Sequence, residues 1–349
     1  MVTRARPLIG GLFAIAVIGV VFFIVLPSIA PWSDVWAATK NLTWPWLVAL
    51  AIAAALNVVT FAPPWMAVMP GLSFRAALAV TMASTASTYI VPGGAFVGMG
   101  FQFAMLRGWG FRGRPVTLGL TIASLWNQLV IFGCPPIALA ILAGNTAASP
   151  LLNTLSWVGI AVIGAIVAGL IASLYSDELA NGIGDLAANL ASRALAIVRR
   201  SPVSWGGDAF VRFRRDARDL LKSRWHVITL TTLAGHLSMW FVLVIALRAV
   251  GIPWDSVSLA ESFAAWSLVR VIGQIPIVPG GFGVIEVGLT AALVGFGGDR
   301  AAVVAAVVLY RMLTVVPPLL LGAMFAATWR RHHPGWETEA APNEAPSQA

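Results

Sequence analysis

Charged residues are scarce in this sequence. Only 10% of its 349 residues are Asp, Glu, Lys or Arg, whereas 59% are hydrophobic and the mean hydropathy is +0.86. Soluble globular domains carry about 25% charged residues. This composition therefore excludes a water-soluble globule and predicts a membrane protein.

Cysteine and lysine are nearly absent. Cys134 is the single cysteine, which excludes an intrachain disulfide and leaves the redox compartment open. Lys40 and Lys222 are the only lysines, so arginine carries almost all of the positive charge behind the formal net charge of +8. We interpret this excess as an orientation signal for a membrane and expect no nucleic-acid partner.

Recognisable catalytic motifs are also missing. The sequence has no P-loop, no dinucleotide-binding fingerprint and no metal-ligand spacing. Its apolar segments hold no paired aspartates and no Ser/His or His/Glu constellation. We therefore expect no enzyme activity, no cofactor and no metal, and any transport would run downhill or on a gradient.

Long apolar runs are what the sequence has instead. They occupy residues 8–26, 46–69, 76–106, 115–143, 151–175, 226–250, 257–297 and 301–329. A helix needs about 20 residues to cross the hydrocarbon core. Because backbone polar groups in lipid must be satisfied within their own helix, these runs predict an all-α polytopic membrane protein.

Arginine positions indicate how the runs are oriented. The positive-inside rule places Arg4, Arg6, Arg75 and the cluster at 107–114 in the cytoplasm. Both ends of the run 76–106 then lie on one side of the membrane, and neither arm reaches the roughly 20 residues of a full span. We predict a re-entrant or broken helical hairpin here.

The same reasoning makes 257–297 a second hairpin, which opens to the outside. Both chain termini are then cytoplasmic and the protein is a multi-pass protein of the inner (plasma) membrane. Proline and glycine favour a turn at each apex. The predicted apex residues are Pro92, Gly93 and Gly94 in the first hairpin and Pro279, Gly280, Gly281 and Gly283 in the second.

Short motifs recur in the same order in the two halves of the chain. "VPGG" stands at 91–94 and again at 278–281, and "GWG" at 108–110 corresponds to "GFG" at 295–297. Double prolines follow in both halves. We infer an internal duplication, and the opposite orientation of the hairpins makes the two repeats inverted.

These features divide the chain into five parts. We predict an N-terminal anchor helix and outer loop at 1–45, a first membrane repeat at 46–176, cytoplasmic basic amphipathic helices at 177–225, a second membrane repeat at 226–331 and a disordered cytoplasmic tail at 332–349. The basic helices would lie on the anionic inner leaflet or bind a cytosolic partner protein.

Three charged residues fall deep inside apolar runs, whereas Arg248 and Glu261 lie nearer an interface. Arg270, Glu286 and Arg311 would each cost about 2.5 to 3.5 kcal/mol at the centre of a helix in the membrane. In one interpretation Glu286 forms a static ion pair with Arg311 or Arg270 that only locks the fold. In the other, one arginine is free to bind an anionic headgroup such as phosphate while Glu286 holds or releases it.

Neutral polar residues inside the runs are further candidates. Asn127 and Gln128 lie in the first repeat near the position of Arg311 in the second, where they line a cavity or bond across helices. For His236 and Tyr89, hydrogen bonding between helices is favoured over contact with a substrate.

Two segments carry a family resemblance. "IPIVPGGFGVIEVGLTAAL" (275–293) and "VVLYRMLTVVPPLLLG" (307–322) resemble the membrane domain of the lysylphosphatidylglycerol synthase/flippase family. The resemblance marks Pro279, Gly280, Gly281, Gly283, Glu286, Tyr310, Arg311 and Pro317. It implies movement of a lipid with a charged headgroup between leaflets, without ATP-binding machinery.

The first half of the chain departs from the family pattern. Many relatives carry Gly-Glu and a following Arg near the first hairpin, where this sequence has "PGGAFVGMGFQF" and the neutral Asn127 and Gln128. The segment after the last run is also too short for the aminoacyl-transferase domain of full synthases, so we expect no synthase activity.

Two functions remain open. The first is a lipid flippase with Arg311, Arg270 and Glu286 at the headgroup site. The second is a non-transporting membrane partner that regulates a cell-envelope lipid or glycan biosynthetic enzyme.

Overall fold

A computed structural model of the chain describes residues 31–40, 42–90, 93–145, 150–176, 192–193, 207–274 and 279–329. Within these ranges the chain forms helices and their connections, without strands. The predicted anchor helix at 8–26, Pro92, the segment 177–191 and the tail at 332–349 lie outside the described residues.

Eleven α-helices are described. They are α1 (Trp32–Thr39), α2 (Trp44–Thr60), α3 (Pro63–Val68), α4 (Phe74–Ile90), α5 (Gly94–Gly108), α6 (Gly113–Asn145), α7 (Pro150–Tyr175), α8 (Gly207–Ala249), α9 (Leu259–Ile272), α10 (Val284–Gly295) and α11 (Arg300–Thr328).

Five helical segments are long and apolar enough to cross a membrane. They are Trp44–Val68, which joins α2 and α3, Gly113–Gly144, Pro150–Tyr175, Phe213–Ala249 and Arg300–Thr328. Many large apolar side chains on these segments are exposed, as lipid-facing residues should be. The prediction of an all-α, multi-pass membrane protein is confirmed.

Helices α4 and α5 form an antiparallel pair. Gly93 starts the reversal with φ +68°, a conformation that glycine adopts without steric cost. A Cβ atom at Gly94 would overlap the Ser87 carbonyl, and one at Gly98 would overlap Ser84. These contacts run in opposite chain directions, so the helices approach closely because both positions are glycine.

Helices α9 and α10 form a second antiparallel pair. Gly280, Gly281 and Gly283 have φ values of +60°, +64° and +85°, and the chain turns through a single 3₁₀ turn at Pro279–Gly281. A Cβ atom at Gly288 would lie 3.1 Å from the Val269 side chain. In the described part of the connection, three left-handed glycines therefore make the turn into α10.

Helix α11 lies at the centre of the molecule and packs against α1, α2, α4, α8 and α10. At Gly322 it approaches α4 so closely that a Cβ atom would overlap the Met82 carbonyl. The helix continues through Pro317 and Pro318, as α6 does through Pro135 and Pro136. Proline has no N–H, so each pair removes hydrogen bonds from the helix interior.

Helix α8 differs from the predicted boundary. The sequence predicts two surface helices before 225 and a separate apolar run from 226. The second surface helix is instead continuous with that run in one helix from Gly207 to Ala249, and the first lies almost wholly outside the described residues. Its basic N-terminal part is tied to the start of α6 by Arg114, whose Nε and Nη2 donate to Asp216 at 2.5 and 2.7 Å. The basic segment is thus a continuous extension of a spanning helix.

The buried side chains fall into two main clusters. One lies among α8, α9, α10 and α11, with contributions from α2 and α6. The other lies among α3, α4, α5 and α6, with the first part of α8. Helix α7 packs chiefly on α6 and exposes most of its apolar surface.

Candidate functional site

Glu286 lies in the first turn of α10 and is fully buried. The turn follows the left-handed Gly283, whose N–H has no partner within the helix. Glu286 Oε2 accepts a hydrogen bond from this N–H at 2.7 Å. The carboxylate therefore caps the N-terminus of the helix, where the helix dipole also favours negative charge.

Arg311 of α11 binds both this carboxylate and the glycine turn. Its Nε donates to Glu286 Oε1 at 2.7 Å, and its Nη2 donates to the Gly280 carbonyl at 3.1 Å. The guanidinium also lies 4.8 Å from the centre of the Phe282 ring. Of the two arginines that could have paired with Glu286, the structure selects Arg311.

The pair is almost completely shielded, with side-chain exposures of 5% for Arg311 and 0% for Glu286. Two buried charges that satisfy each other tolerate a dry environment, whereas removing one partner costs about 3 to 5 kcal/mol. The pair therefore fixes the glycine turn of the second helix pair to α11.

The end of the first helix pair touches this turn. The Tyr89 and Phe282 ring centroids lie 6.1 Å apart, and a Cβ atom at Gly280 would overlap the Tyr89 ring. Tyr89 Oη also donates a long hydrogen bond of 3.5 Å to the Thr314 carbonyl. Pro318, four residues later, has no N–H for that carbonyl, so the tyrosine supplies the missing donor.

Arg270 lies one turn beyond Trp266 on α9, with its guanidinium 5.6 Å from the centre of the indole ring. Its Nε is buried and has no hydrogen-bond partner. Trp266, Arg270 and Tyr310 line a small cavity with Val269, Ile285 and Leu289, and the cavity has room for about one water molecule. Tyr310 is buried and directly precedes Arg311 on α11.

Asn127 and Gln128 belong to a separate polar row. His236 Nε2 on α8 lies 3.1 Å from Asn127 Oδ1 on α6, and Asn127 Nδ2 donates to Gln128 Oε1 at 3.1 Å. The structure shows a bond across helices for Asn127, whereas the Gln128 side chain bonds to Asn127 on the same helix. His236 likewise takes part in interhelical hydrogen bonding.

Several contacting residues escaped sequence reasoning. Phe282 and Trp266 each lie beside an arginine, and Arg248 donates to the carbonyls of Ile252 and Val257 with its guanidinium 3.6 Å from the centre of the Trp254 ring. A signal was present for Trp266, since it precedes Arg270 by four residues on one helix face.

Residues 11–322 match the family model described as the lysylphosphatidylglycerol synthase TM region. The chain belongs to this family. No curated protein matches its sequence. All of the predicted site residues, from Pro92 to Arg311, lie within the matched range. The suspected family is thereby confirmed.

In this family member most of the predicted site residues lie around one centre, and Asn127 and Gln128 lie apart from it. Glu286, Arg311, Tyr310 and the glycines of the second turn lie together, with Arg270 on the adjoining cavity. Gly93 and Gly94 lie at the first turn, whereas Asn127 bonds to His236 of α8 and Gln128 bonds to Asn127.

Proposed function

We propose that this protein is a flippase that moves a lipid with a charged, phosphate-containing headgroup between the leaflets of the cell membrane. The supporting observation is that the ends of two glycine-broken helix pairs meet beside the buried Arg311, with the half-buried Arg270 on the adjoining cavity. Broken helices expose backbone donors and acceptors where lipid offers none, and transporters place their substrate sites at such breaks.

Alternating access would come from two repeats of opposite orientation. In each half a helix pair, α4–α5 or α9–α10, is followed by a long helix with an internal double proline. With the arginine-rich loops and both termini in the cytoplasm, the first pair opens inwards as a re-entrant hairpin and the second outwards. Separating Tyr89 from Phe282 would open the centre to one side at a time.

This function requires no chemical step. The protein would act without a cofactor and without enzyme activity, and a gradient or the lipid's own concentration difference would drive movement. The opposed charges of the Glu286–Arg311 pair would hold the second turn in shape while the first helix pair moves against it.

The test immobilises the contact between the two pairs. Purified protein carrying Tyr89→Cys and Phe282→Cys in a Cys134→Ala background is reconstituted into vesicles with fluorescent phosphatidylglycerol. A thiol-specific bifunctional reagent with a cleavable link should stop transbilayer movement of the lipid, and reduction of the link should restore it. Each single-cysteine variant, treated with the same reagent, is the matched control and should keep moving lipid.

Protein-free vesicles set the background rate. A wild-type rate equal to this background for phosphatidylglycerol, phosphatidylethanolamine and lysylphosphatidylglycerol would contradict the flippase proposal. The alternative function, a membrane partner that regulates a cell-envelope biosynthetic enzyme, would then be favoured over the flippase. If lipid movement is unchanged after complete crosslinking, the protein is still a flippase, but separation of residues 89 and 282 is not part of its transport cycle.

A further inference from the structure

Charges around the central contact do not balance. Glu286 and Arg311 neutralise each other through their 2.7 Å ion pair. The acidic side chains at the starts of α9 and α11 have partners of their own, since Glu261 accepts from the Ser258 N–H and Asp299 from the Ala302 N–H. Arg270 makes no ion pair with any residue in the described ranges. One positive charge is left over.

The guanidinium of Arg270 has hydrogen-bonding capacity that the protein does not use. Its Nε is buried without an acceptor, although the side chain lines the cavity beside Tyr310. The Trp266 ring supports the cation from one side but accepts no conventional hydrogen bond. A planar guanidinium with vacant donors is suited to the oxygens of a phosphate.

The location of Arg270 also fits a ligand that reaches the centre. It lines the same cavity as Tyr310, the residue directly before Arg311 on α11, and Ile285, the residue directly before Glu286 on α10. Arg270 therefore adjoins the elements that carry the ion pair and still has a vacant donor, whereas Arg311 is already bound by Glu286 and Gly280.

We propose that Arg270 binds the phosphate of an anionic headgroup, so that the protein selects lipids with net negative headgroups over zwitterionic and cationic ones. This selection rests on the proposed function, which specifies a charged, phosphate-containing headgroup but not the sign of its net charge. A cationic headgroup, such as that of the lipid in the family's description, would place a second cation beside Arg270. The nearest buried carboxylate, Glu286, is already paired.

Binding can be measured without transport. Full-length protein in uncharged detergent is titrated with phosphatidylglycerol, phosphatidylethanolamine and lysylphosphatidylglycerol of identical acyl chains, and the thermal unfolding midpoint is followed. We expect wild-type affinity for phosphatidylglycerol to exceed that for lysylphosphatidylglycerol at least about tenfold. Equal affinities, or a preference for the cationic lipid, would overturn the proposal.

Variants then assign the preference to one side chain. Arg270→Gln should reduce the affinity ratio to about one, and Arg270→Lys should keep the preference with weaker binding, because lysine retains the charge without the planar fork. Arg300→Gln, at the exposed start of α11, is the matched control and should leave the ratio unchanged. A ratio that survives Arg270→Gln in folded protein would contradict the assignment to Arg270.

Inorganic phosphate distinguishes a lipid from a soluble anion, because both offer the same oxygens to Arg270. If millimolar phosphate raises the unfolding midpoint of wild type but not of Arg270→Gln and competes with phosphatidylglycerol, the site takes a soluble anion and selection of lipids is wrong. If phosphate neither binds nor competes, the ligand is the headgroup on its lipid.

The vesicle assay, run with the same three headgroups, separates this inference from the flippase proposal. Selective binding with equally selective movement supports both. Selective binding without movement of any lipid upholds the anion site and contradicts transport. Movement at equal rates for all three, with equal affinities, leaves a flippase and overturns charge selection.

Discussion

Glu286 performs two tasks with its two carboxylate oxygens. One oxygen closes the start of α10 through the Gly283 N–H, and the other receives Arg311 from α11. Arg311 in turn holds the Gly280 carbonyl. The conformation of the second turn thus depends on one buried ion pair. Removing either charge should therefore lower the free energy of unfolding.

We expect Glu286→Gln to lower the free energy of unfolding by about 3 to 5 kcal/mol, because Arg311 would remain buried as an unpaired cation. The glutamine oxygen can still accept from Gly283. The double variant Glu286→Gln/Arg311→Met should be more stable than Glu286→Gln, because it removes the orphaned charge. Thermal unfolding in detergent measures Glu286→Gln, Arg311→Met and the double variant, and a double variant as unstable as the sum of the two singles would show that the two side chains do not interact.

The sequence predicted which charged residues belong to this centre, but not which arginine pairs with Glu286. Charges inside apolar runs pointed to Arg270, Glu286 and Arg311, and their cost in lipid required a partner or a cavity. Which arginine meets Glu286 depends on how α11 lies against the glycine turn. Nothing in the spacing of the residues along the chain encodes that placement.

At the scale of elements, glycine positions decide how closely helices approach. The predicted breaks at Gly93 and at Gly280–Gly281 are present because these residues adopt left-handed conformations. Other glycines, such as Gly94 and Gly98, serve packing instead. Only the structure distinguishes these from glycines that face open space.

Gly94→Ala should destabilise the pair α4–α5, because its methyl group would overlap the Ser87 carbonyl and the backbone of Thr88. Overpacking of this kind costs about 1 to 3 kcal/mol. Gly100→Ala on the same helix is the matched control, since its methyl group meets nothing within 4 Å. Alanine favours helix over glycine by up to about 1 kcal/mol, so this control should unfold no earlier than wild type. Equal unfolding midpoints for the two variants would contradict the close packing of the pair.

Helix extents show where sequence patterns suffice. Apolar runs at 151–175 and 301–329 correspond to α7 (Pro150–Tyr175) and α11 (Arg300–Thr328) within a residue. The start of α8 was missed because hydropathy falls in its arginine-rich part. A signal was available, since neither glycine nor proline interrupts the sequence between Asp208 and Gly235.

At the scale of the whole molecule, the described residues include five segments that are long and apolar enough to span a membrane, and two helix pairs. The orientation of these elements in the membrane can be measured. Cysteines placed singly at Ser73 and Arg112 flank α4–α5, and cysteines at Asp255 and Arg300 flank α9–α10. In a Cys134→Ala background, a membrane-impermeant thiol reagent applied to intact cells should label the second two positions only. Labelling of Ser73→Cys and Arg112→Cys on opposite sides would contradict a re-entrant first pair and with it the inverted repeats.

The long hydrogen bond from Tyr89 to the Thr314 carbonyl has a consequence for the history of the sequence. The hydroxyl at 89 is useful because Pro318 withholds the N–H that this carbonyl would otherwise receive. A lineage that replaces Pro318 with alanine restores the helical bond and releases position 89 to become phenylalanine. Two residues far apart in the chain should therefore change together, and the order of the substitutions matters, since losing the tyrosine first would leave the Thr314 carbonyl without this donor.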